Sequence, residues 1–423
     1  MRKNILNKEI KNASWLIGGR IIQMIISLFV GILTARYLGP NNYGLINYGL
    51  AYVTFFTSVC NLGINSIIIK NFVDHPEEQG ITIGTTLFLR IFSSILSNFL
   101  ILCLVLIVDN GELSTVIVTL LCSLSLIFQS FDTLNYWFQS RYQSKITSLA
   151  TLFAYIIVSV YRIILLINNC SIYWFALANS VDYLFIALFL LTVYKYNCGP
   201  KLKFSFDKAR QLLSSSYHYI LSGMMVAIYG QTDKLMLKQM IGQGEVGYYS
   251  VATTICNLWI FILTAIIDSM YPTIMNFYGK DKAAFERKNK QLYAIVFYVS
   301  AFVSIIFTIF GDWIVQILYG NEFAPAVGPL RIITWYTAFS YLGVARNAWI
   351  VCENKQKYLK YLYLSAAILN VFLNLLLIPT FKASGAAMAS LITQISTSIL
   401  LPLFIPDLKP NARLMLEAIR LKF

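Results

Sequence analysis

Ten charged side chains fall inside long apolar stretches of the chain, with Lys360, at the very start of its stretch, counted with the connection before it, and these are the residues whose types and positions could do chemistry. Six are cations, Arg20, Arg90, Arg162, Lys234, Arg331 and Arg346, and four are acids, Asp132, Asp182, Asp233 and Asp268. A charge at the centre of a membrane helix costs about 2.5–3.5 kcal/mol on the insertion scale, so each should face a protein interior or a water-filled cavity. An excess of buried bases over acids suits an anionic cargo, because a guanidinium can hold a phosphate bidentately. It suits a cationic cargo badly.

The ten are not equivalent. Arg331, Asp132 and Arg346 lie near the ends of their stretches and could snorkel to water. Arg162 and Asp182 sit in neighbouring stretches and could form a structural ion pair. Asp233 and Lys234 lie near the outer end of the seventh stretch and could pair with opposite charges across the two halves of the chain. Arg20 is roughly two turns into the first stretch, and Arg90 similarly into the third. The candidate cations for an anion are therefore Arg20, Arg90, Lys234 and Arg162. The candidates for ion coupling are Asp268, Asp233 and Asp182, and Asp268 could bind a proton or pair with Arg20.

The elements that must position these groups follow from composition. Of 423 residues, 58 % are hydrophobic and 12 % charged, with a mean hydropathy of +0.66. Soluble domains are roughly 45–50 % apolar and about 25 % charged. The chain is predicted to be an all-α polytopic membrane protein. About 20 apolar residues span the hydrocarbon core, which gives twelve candidate spans. The first six are 14–35, 43–69, 81–107, 113–137, 146–167 and 172–194; the second six are 213–237, 246–274, 292–310, 330–352, 358–378 and 383–405. The segment 313–319 is also apolar but too short to cross.

Lys and Arg outside the spans are strongly sided. Counted by alternate connections, 24 fall on one face with both termini, and only Arg36, Lys238 and Lys382 fall on the other. The positive-inside rule then places both termini in the cytoplasm and requires an even number of spans. The formal net charge of +14 is thereby explained, and no nucleic-acid partner is needed. The polar, basic residues 1–12 and the long first span predict no cleavable signal peptide. The connections are short, 311–328 being the longest outer one, which leaves no room for an ATPase cassette or a catalytic domain. Seven scattered cysteines without C-x-x-C spacing predict neither disulfide nor metal site, and no cofactor motif is legible. Residues 411–423 alternate apolar and basic residues and predict an interfacial amphipathic helix.

An internal repeat is visible. Leu38-Gly39-Pro40-Asn41-Asn42-Tyr43-Gly44 matches Ile241-Gly242-Gln243-Gly244-Glu245-Val246-Gly247, with both glycine pairs offset by 203. Asn135-Tyr136-Trp137 before Gln143-Ser144-Lys145 matches Asn347-Ala348-Trp349 before Lys355-Gln356-Lys357, offset by 212. Two six-helix bundles in the same orientation are expected, 13–194 and 212–406, related by a pseudo-two-fold along the membrane normal. They are joined by a basic linker, 195–211, and flanked by a cytoplasmic arm, 1–12, and a tail, 407–423. The cleft between them is the expected pathway.

Several of these segments together resemble a known family. The basic arm leads into Trp15-Leu16-Ile17-Gly18-Gly19-Arg20, and Ala35-Arg36-Tyr37-Leu38-Gly39-Pro40 precedes Tyr43-Gly44. The seventh span ends in Gln231-Thr232-Asp233-Lys234-Leu235-Met236-Leu237, followed by Val246-Gly247-Tyr248-Tyr249. The last pair of spans carries Asn370, Asn374, Ile378-Pro379 and Gly385-Ala386-Ala387. The pattern resembles the Wzx-type O-antigen and capsule repeat-unit flippases of the multidrug/oligosaccharidyl-lipid/polysaccharide exporter superfamily, over essentially the whole chain.

The resemblance implies a MATE-like fold of twelve helices in two bundles. It implies transport of an undecaprenyl-diphosphate-linked oligosaccharide from the cytoplasmic to the outer leaflet of the bacterial inner membrane, for O-antigen, capsule or exopolysaccharide synthesis. It adds a polysaccharide polymerase and chain-length proteins as candidate partners beside the bilayer itself. Alternating access through a cationic cleft is the expected mechanism. The first rival is a multidrug/cation antiporter of the same superfamily. Such proteins resemble one another in an acid within the first span, whereas 14–35 carries no Asp or Glu and has Arg20 instead. A polymerase or ligase would need a large outer loop, and a lipid II flippase usually carries two more spans.

Overall fold

The computed structural model describes residues 2–422, with their side chains apart from those of 2–17, 20, 21, 66, 221 and 222. Among the described residues there is no strand. The helices are α1 (Arg2–Cys60), α2 (Asn65–Asp74), α3 (Gln79–Val108), α4 (Leu113–Ser123), α5 (Ser125–Gln129), α6 (Asp132–Ser140), α7 (Ser144–Ile167) and α8 (Ile172–Tyr196). They continue with α9 (Phe206–Met240), α10 (Gln243–Asn257), α11 (Ile260–Phe277), α12 (Lys282–Tyr319), α13 (Val327–Ala345), α14 (Asn347–Cys352), α15 (Leu359–Ile395), α16 (Leu401–Phe404) and α17 (Lys409–Ile419). Eight helical stretches among the described residues are long and apolar enough to cross a membrane. The protein is a multi-pass, all-helical membrane protein.

The chain forms two compact units. One comprises residues up to Leu38 together with Leu45–Ala227, and the other comprises Gly39–Gly44 with Ile228–Phe423. The first unit is centred on Trp137, which is fully buried among Phe72, Phe138 and Tyr194 and donates its indole N–H to Gln79 Oε1 at 3.0 Å. The second is centred on Tyr293, Leu292 and Trp349, where α12 packs against α11, α13 and α17.

Several expected spans are merged or broken, each for a local reason. Spans one and two run together as α1, with Gly39 at φ +68° turning the chain between them. The second then stops at Cys60, because Asn61–Ile64 forms a turn with Leu62 and Gly63 at positive φ. A Cβ on Gly63 would stand 2.6 Å from Cβ of Tyr219, so this turn requires glycine. The fourth span, expected as 113–137, is three short helices. Hydroxyls there bond back to carbonyls three residues earlier, Ser123 to Leu120 at 3.0 Å, Ser125 to Cys122 at 2.7 Å and Thr133 to Ser130 at 2.9 Å, which bends a helix. The ninth runs unbroken through 313–319 as α12, so the outer connection begins at Gly320 rather than at residue 311. The linker expected at 195–211 is helical from Phe206 onward.

The repeat has local structural counterparts. Gly39 and Gly242 both have positive φ, as do Tyr142 and Asn354. The turn after α6 closes with Gln143 N–H on Phe138 O at 2.9 Å, and the turn after α14 with Lys355 N–H on Ile350 O at 2.9 Å. Both pairs keep the 212-residue offset.

The C-terminal tail departs from expectation. It is amphipathic, but Leu414, Met415 and Ala418 are buried against the second unit's core rather than left for a membrane surface. Asn411 Nδ2 donates to Tyr293 Oη at 2.6 Å, and Lys290 pairs with Glu417 at 2.6 Å. The loop before α15 clasps the start of this helix, with Lys355 Nζ 2.7 Å from Asp407 Oδ1 and Tyr358 Oη donating to Asp407 Oδ2. The Lys355 ammonium, then the Tyr358 hydroxyl, hold the Asp407 carboxyl below its usual value. A depressed carboxylate adds stability above its unfolded value of about 3.9 and loses it as pH falls further. Hydrogen exchange in α17, corrected for intrinsic rates, should stay constant from about pH 8 to 5 and rise below about pH 3.9. In Asp407→Asn that step should vanish.

Candidate functional site

The second unit buries one carboxylate under four neutral donors. Asp233, on α9, is 4 % exposed. Its Oδ1 accepts from Asn370 Nδ2 at 3.1 Å and Asn374 Nδ2 at 2.7 Å, and its Oδ2 from Tyr249 Oη at 2.5 Å and Ser390 Oγ at 2.5 Å. Asn370 and Asn374 share a helix face at i, i+4. α15 brings them to Ser390 because it is two arms folded at Pro379 and at Lys382, whose φ is +53°. The fold is tied by Ala383 N–H donating to Glu245 Oε2 at 3.1 Å. Close approach of Gly385 to Leu377 O, 2.3 Å from where a Cβ would stand, keeps the arms together.

Tyr249 reaches Asp233 because the two glycine motifs interlock. A Cβ on Gly44 would lie 1.8 Å from Gln243 O, and one on Gly247 would lie 2.2 Å from Pro40 O. Each motif thus packs backbone against backbone on its counterpart, and this fixes the start of α10. Tyr43 and Tyr248 both set their rings edge-on to Phe323 beside the crossing.

Asp233 lines a cavity of about 200 Å³ with Lys234, Tyr229, Tyr249, Asn257 and Tyr336. Organic-ligand pockets are roughly 300–1,000 Å³, so the cavity is the size of an ion or a small charged group. Lys234 interacts electrostatically with Asp233 but makes no hydrogen bond and no ion pair within 4.0 Å among the described residues. Asn374 Oδ1 is buried without a partner. All four groups around the carboxylate carry oxygen, the donor type that hard cations take. The expectation that Asp233 pairs across the halves is corrected: its hydrogen-bond partners are all in its own unit.

The other expected groups have different settings. Arg20 lies outside the described side chains. Arg90 is fully buried, with its guanidinium on Thr133 Oγ1 at 3.2 Å, Asn61 O at 3.4 Å and Asn65 Oδ1, and 5.6 Å above the Tyr136 ring. It therefore pins the broken ends of α1, α2 and α6 together. Arg162 donates to Asn179 Oδ1 at 3.1 Å rather than forming the ion pair expected with Asp182, whose Oδ1 is buried without a partner. Asp268 is exposed on α11. Arg331 is exposed and paired with Asp312 at 2.6 Å. Arg346 does not snorkel: it is 5 % exposed and donates to Thr397 O at 3.1 Å in the π-helical turn Ser396–Leu400.

Replacing Arg90 by alanine leaves those acceptors dry. It should destabilise the protein by about 1–3 kcal/mol, read as a lower melting temperature in detergent. Lost transport at an unchanged melting temperature would place this guanidinium on the transport path instead.

Residues 10–277, more than half of the chain, match the family described as polysaccharide biosynthesis protein. The chain belongs to that family. As a polysaccharide biosynthesis protein it also matches the MatE family over residues 219–376. It is 20 % identical to the capsular polysaccharide biosynthesis protein CapF of Staphylococcus aureus, over 91 % of this chain and 96 % of that one. It is 20 % identical to the putative O-antigen transporter of Escherichia coli K12, over 88 % and 91 %. The fold is that of the lipid II flippase MurJ in an inward closed conformation, with a TM-score of 0.74 at 14 % identity over 97 % and 91 % of the two chains. An inward-facing multidrug MATE transporter matches with a TM-score of 0.69 at 13 % identity over 94 % and 95 %. The polysaccharide biosynthesis protein described here is a membrane transporter, not an enzyme.

Within this family member, the sequence pointed to Asp233 and Lys234 by their charge within a span and by the motif Gln231-Thr232-Asp233-Lys234. It did not assign Tyr249, Asn370, Asn374 or Ser390 to them. The i, i+4 asparagines in an apolar span were the available signal, because two buried amides need partners.

Proposed function

We propose that this protein flips an undecaprenyl-diphosphate-linked oligosaccharide from the cytoplasmic to the outer leaflet of the bacterial inner membrane. Both termini are cytoplasmic and twelve spans form two six-helix bundles in this reading. The observation that carries it is Lys234, a cation with no bonded acceptor among the described residues, lining a small cavity among tyrosines where an anionic diphosphate would be matched. The absence of an acid in 14–35 argues against a cationic drug. The relatives named as a capsular polysaccharide protein and an O-antigen transporter favour a glycan as cargo.

Asp233 is the coupling group in this reading. Protonation would make one Asp233 oxygen a donor, and a small monovalent cation would be seated by the carboxylate with the Asn370 and Asn374 amide oxygens turned inward in place of their two donated bonds. Asp268, exposed within a span, and Asp182 are the secondary candidates; Arg20, Arg90 and Arg162 remain candidate cations for the headgroup. Moving two negative charges outward from a negative interior is favourable by about 4–5 kcal/mol at 100 mV. Coupling therefore adds direction rather than necessity, within an alternating-access cycle that hands the glycan to a polymerase and its chain-length proteins.

Depleting the protein from its host tests this. Diphosphate-linked repeat units should accumulate, inaccessible to an external glycan-oxidising reagent. An unchanged pool, with loss of resistance to cationic drugs, would favour the antiporter.

A further inference from the structure

The first unit carries an apolar slot that the site above does not use. It lies between α3 and the start of α9, has a volume of about 760 Å³, and is walled by Phe88, Phe92, Phe204, Leu213 and Tyr217. These five side chains are all more than a third exposed. Arg210 is the one charged residue lining it among the described residues. The slot exists because the segment before α9 is laid directly on α3. Lys203 N–H donates to Gly80 O at 3.2 Å, and Ser205 N–H to Thr85 Oγ1 at 3.0 Å. A Cβ on Gly80 would be 2.4 Å from Lys201 O, and one on Gly84 2.4 Å from Lys203 O, so only glycine at both positions admits the strand of backbone. Lys208 is buried and pairs with Glu78 at 2.8 Å, which locks the start of α9 against the start of α3. Phe204 then meets Phe88 edge-on at 4.7 Å between centroids.

We propose that this slot holds the polyprenyl chain of an anionic isoprenoid lipid before its headgroup reaches Lys234, with its phosphate at this stage at Arg210 and the exposed Lys201 and Lys203. The inference rests on the flippase reading above for the identity of the lipid. Charge complementarity selects the occupant: the walls are apolar and aromatic, Glu78 is paired with Lys208, and the remaining charges at and beside the slot are Lys201, Lys203 and Arg210 against one exposed acid, Asp207. Phe88 and Phe92 lie nine and thirteen residues beyond Gln79, roughly 14–20 Å along the helix. A chain anchored by phosphate near the linker would run along them into the hydrocarbon. A single slot fits one chain, as an isoprenoid has, rather than the two chains of a phospholipid.

The test uses the full-length protein in phosphatidylcholine nanodiscs with a diazirine-bearing undecaprenyl phosphate, and reads the labelled peptides by mass spectrometry. Labelling is expected on the Phe88–Phe92 and Leu213–Tyr217 peptides. Ser214→Trp, which fills the slot from an exposed position, should reduce it about tenfold, and Arg210→Gln about fivefold; Ser214→Ala should retain it. Excess undecaprenyl phosphate should compete, whereas phosphatidylglycerol and inorganic diphosphate should not. Labelling elsewhere, equal competition by phosphatidylglycerol, or indifference to Ser214→Trp overturns the proposal. A translocation assay on the same samples separates the two claims. Slot labelling without glycan movement sinks the flippase reading and leaves the slot; glycan movement without slot labelling does the reverse.

Discussion

Gly247→Ala is expected to abolish transport and to lower the melting temperature sharply. The added methyl would sit 2.2 Å from the Pro40 carbonyl oxygen and 3.0 Å from its carbon, so no rotamer change relieves it. Backbone must move, and overpacking of this kind costs about 1–3 kcal/mol or more. The partner position gives the same result: at Gly44 the methyl would lie 1.8 Å from Gln243 O and 2.8 Å from Gly247 N. The displaced element is α10, which carries Tyr249 to Asp233, so the damage reaches the site as well as stability. Gly31→Ala is the control, since its Cβ meets nothing within 4 Å and helix interiors gain about 0.5–1 kcal/mol from glycine to alanine. Thermal unfolding in detergent with a transport assay alongside checks all three. A Gly247→Ala protein that melts and transports like wild type would remove the interlock from the account.

Asp233→Asn is expected to separate folding from transport. The amide is isosteric with the carboxylate, its oxygen can still accept from Asn370 and Asn374, and the Tyr249 and Ser390 hydroxyls can rotate to accept from its nitrogen. The melting temperature should therefore change little. The charge, however, is gone, and with it the group that a proton or a cation would meet. Transport should fall by roughly 5–150-fold, the range of a 1–3 kcal/mol coupling energy, and its dependence on an imposed ion or pH gradient should disappear. Asp233→Ala should do worse on stability, because four buried donors lose their acceptor at about 1–3 kcal/mol each when left dry. Full gradient-dependent transport by Asp233→Asn would assign coupling elsewhere, with Asp268 next.

How much of this was legible in the sequence depends on the physical range of each signal. Membrane character follows from bulk apolar content, and it holds. The Leu-Gly…Tyr-Gly repeat was legible because a tight crossing needs glycine twice, and Gly39 and Gly242 indeed share positive φ. Helix breaks inside spans were not, since they come from Ser123, Ser125 and Thr133 bonding back to carbonyls, and hydroxyl residues are equally at home in unbroken helices. Arg346 and the tail helix were misjudged for one reason: an amphipathic or charged segment near a membrane end satisfies the same pattern whether it faces water or protein. The buried Thr397 carbonyl and the apolar core around Tyr293 decide those cases, and both are far away in the chain. The Asp233 centre was half legible. Charge marked Asp233 and Lys234, but the donors come from positions up to 157 residues distant, joined only when α15 folds on itself.

In the proposed function, this protein moves a lipid-linked anionic glycan across a bilayer. The most direct measurement is reconstitution of the purified protein into liposomes with a fluorescent undecaprenyl-diphosphate oligosaccharide on one leaflet, following its accessibility to a membrane-impermeant quencher. Protein-dependent translocation, faster with the receiving side positive and slowed roughly 5–150-fold in Asp233→Asn, is the predicted result. No movement of any diphosphate-linked glycan, together with efflux of a cationic dye driven by a proton or sodium gradient, would contradict it.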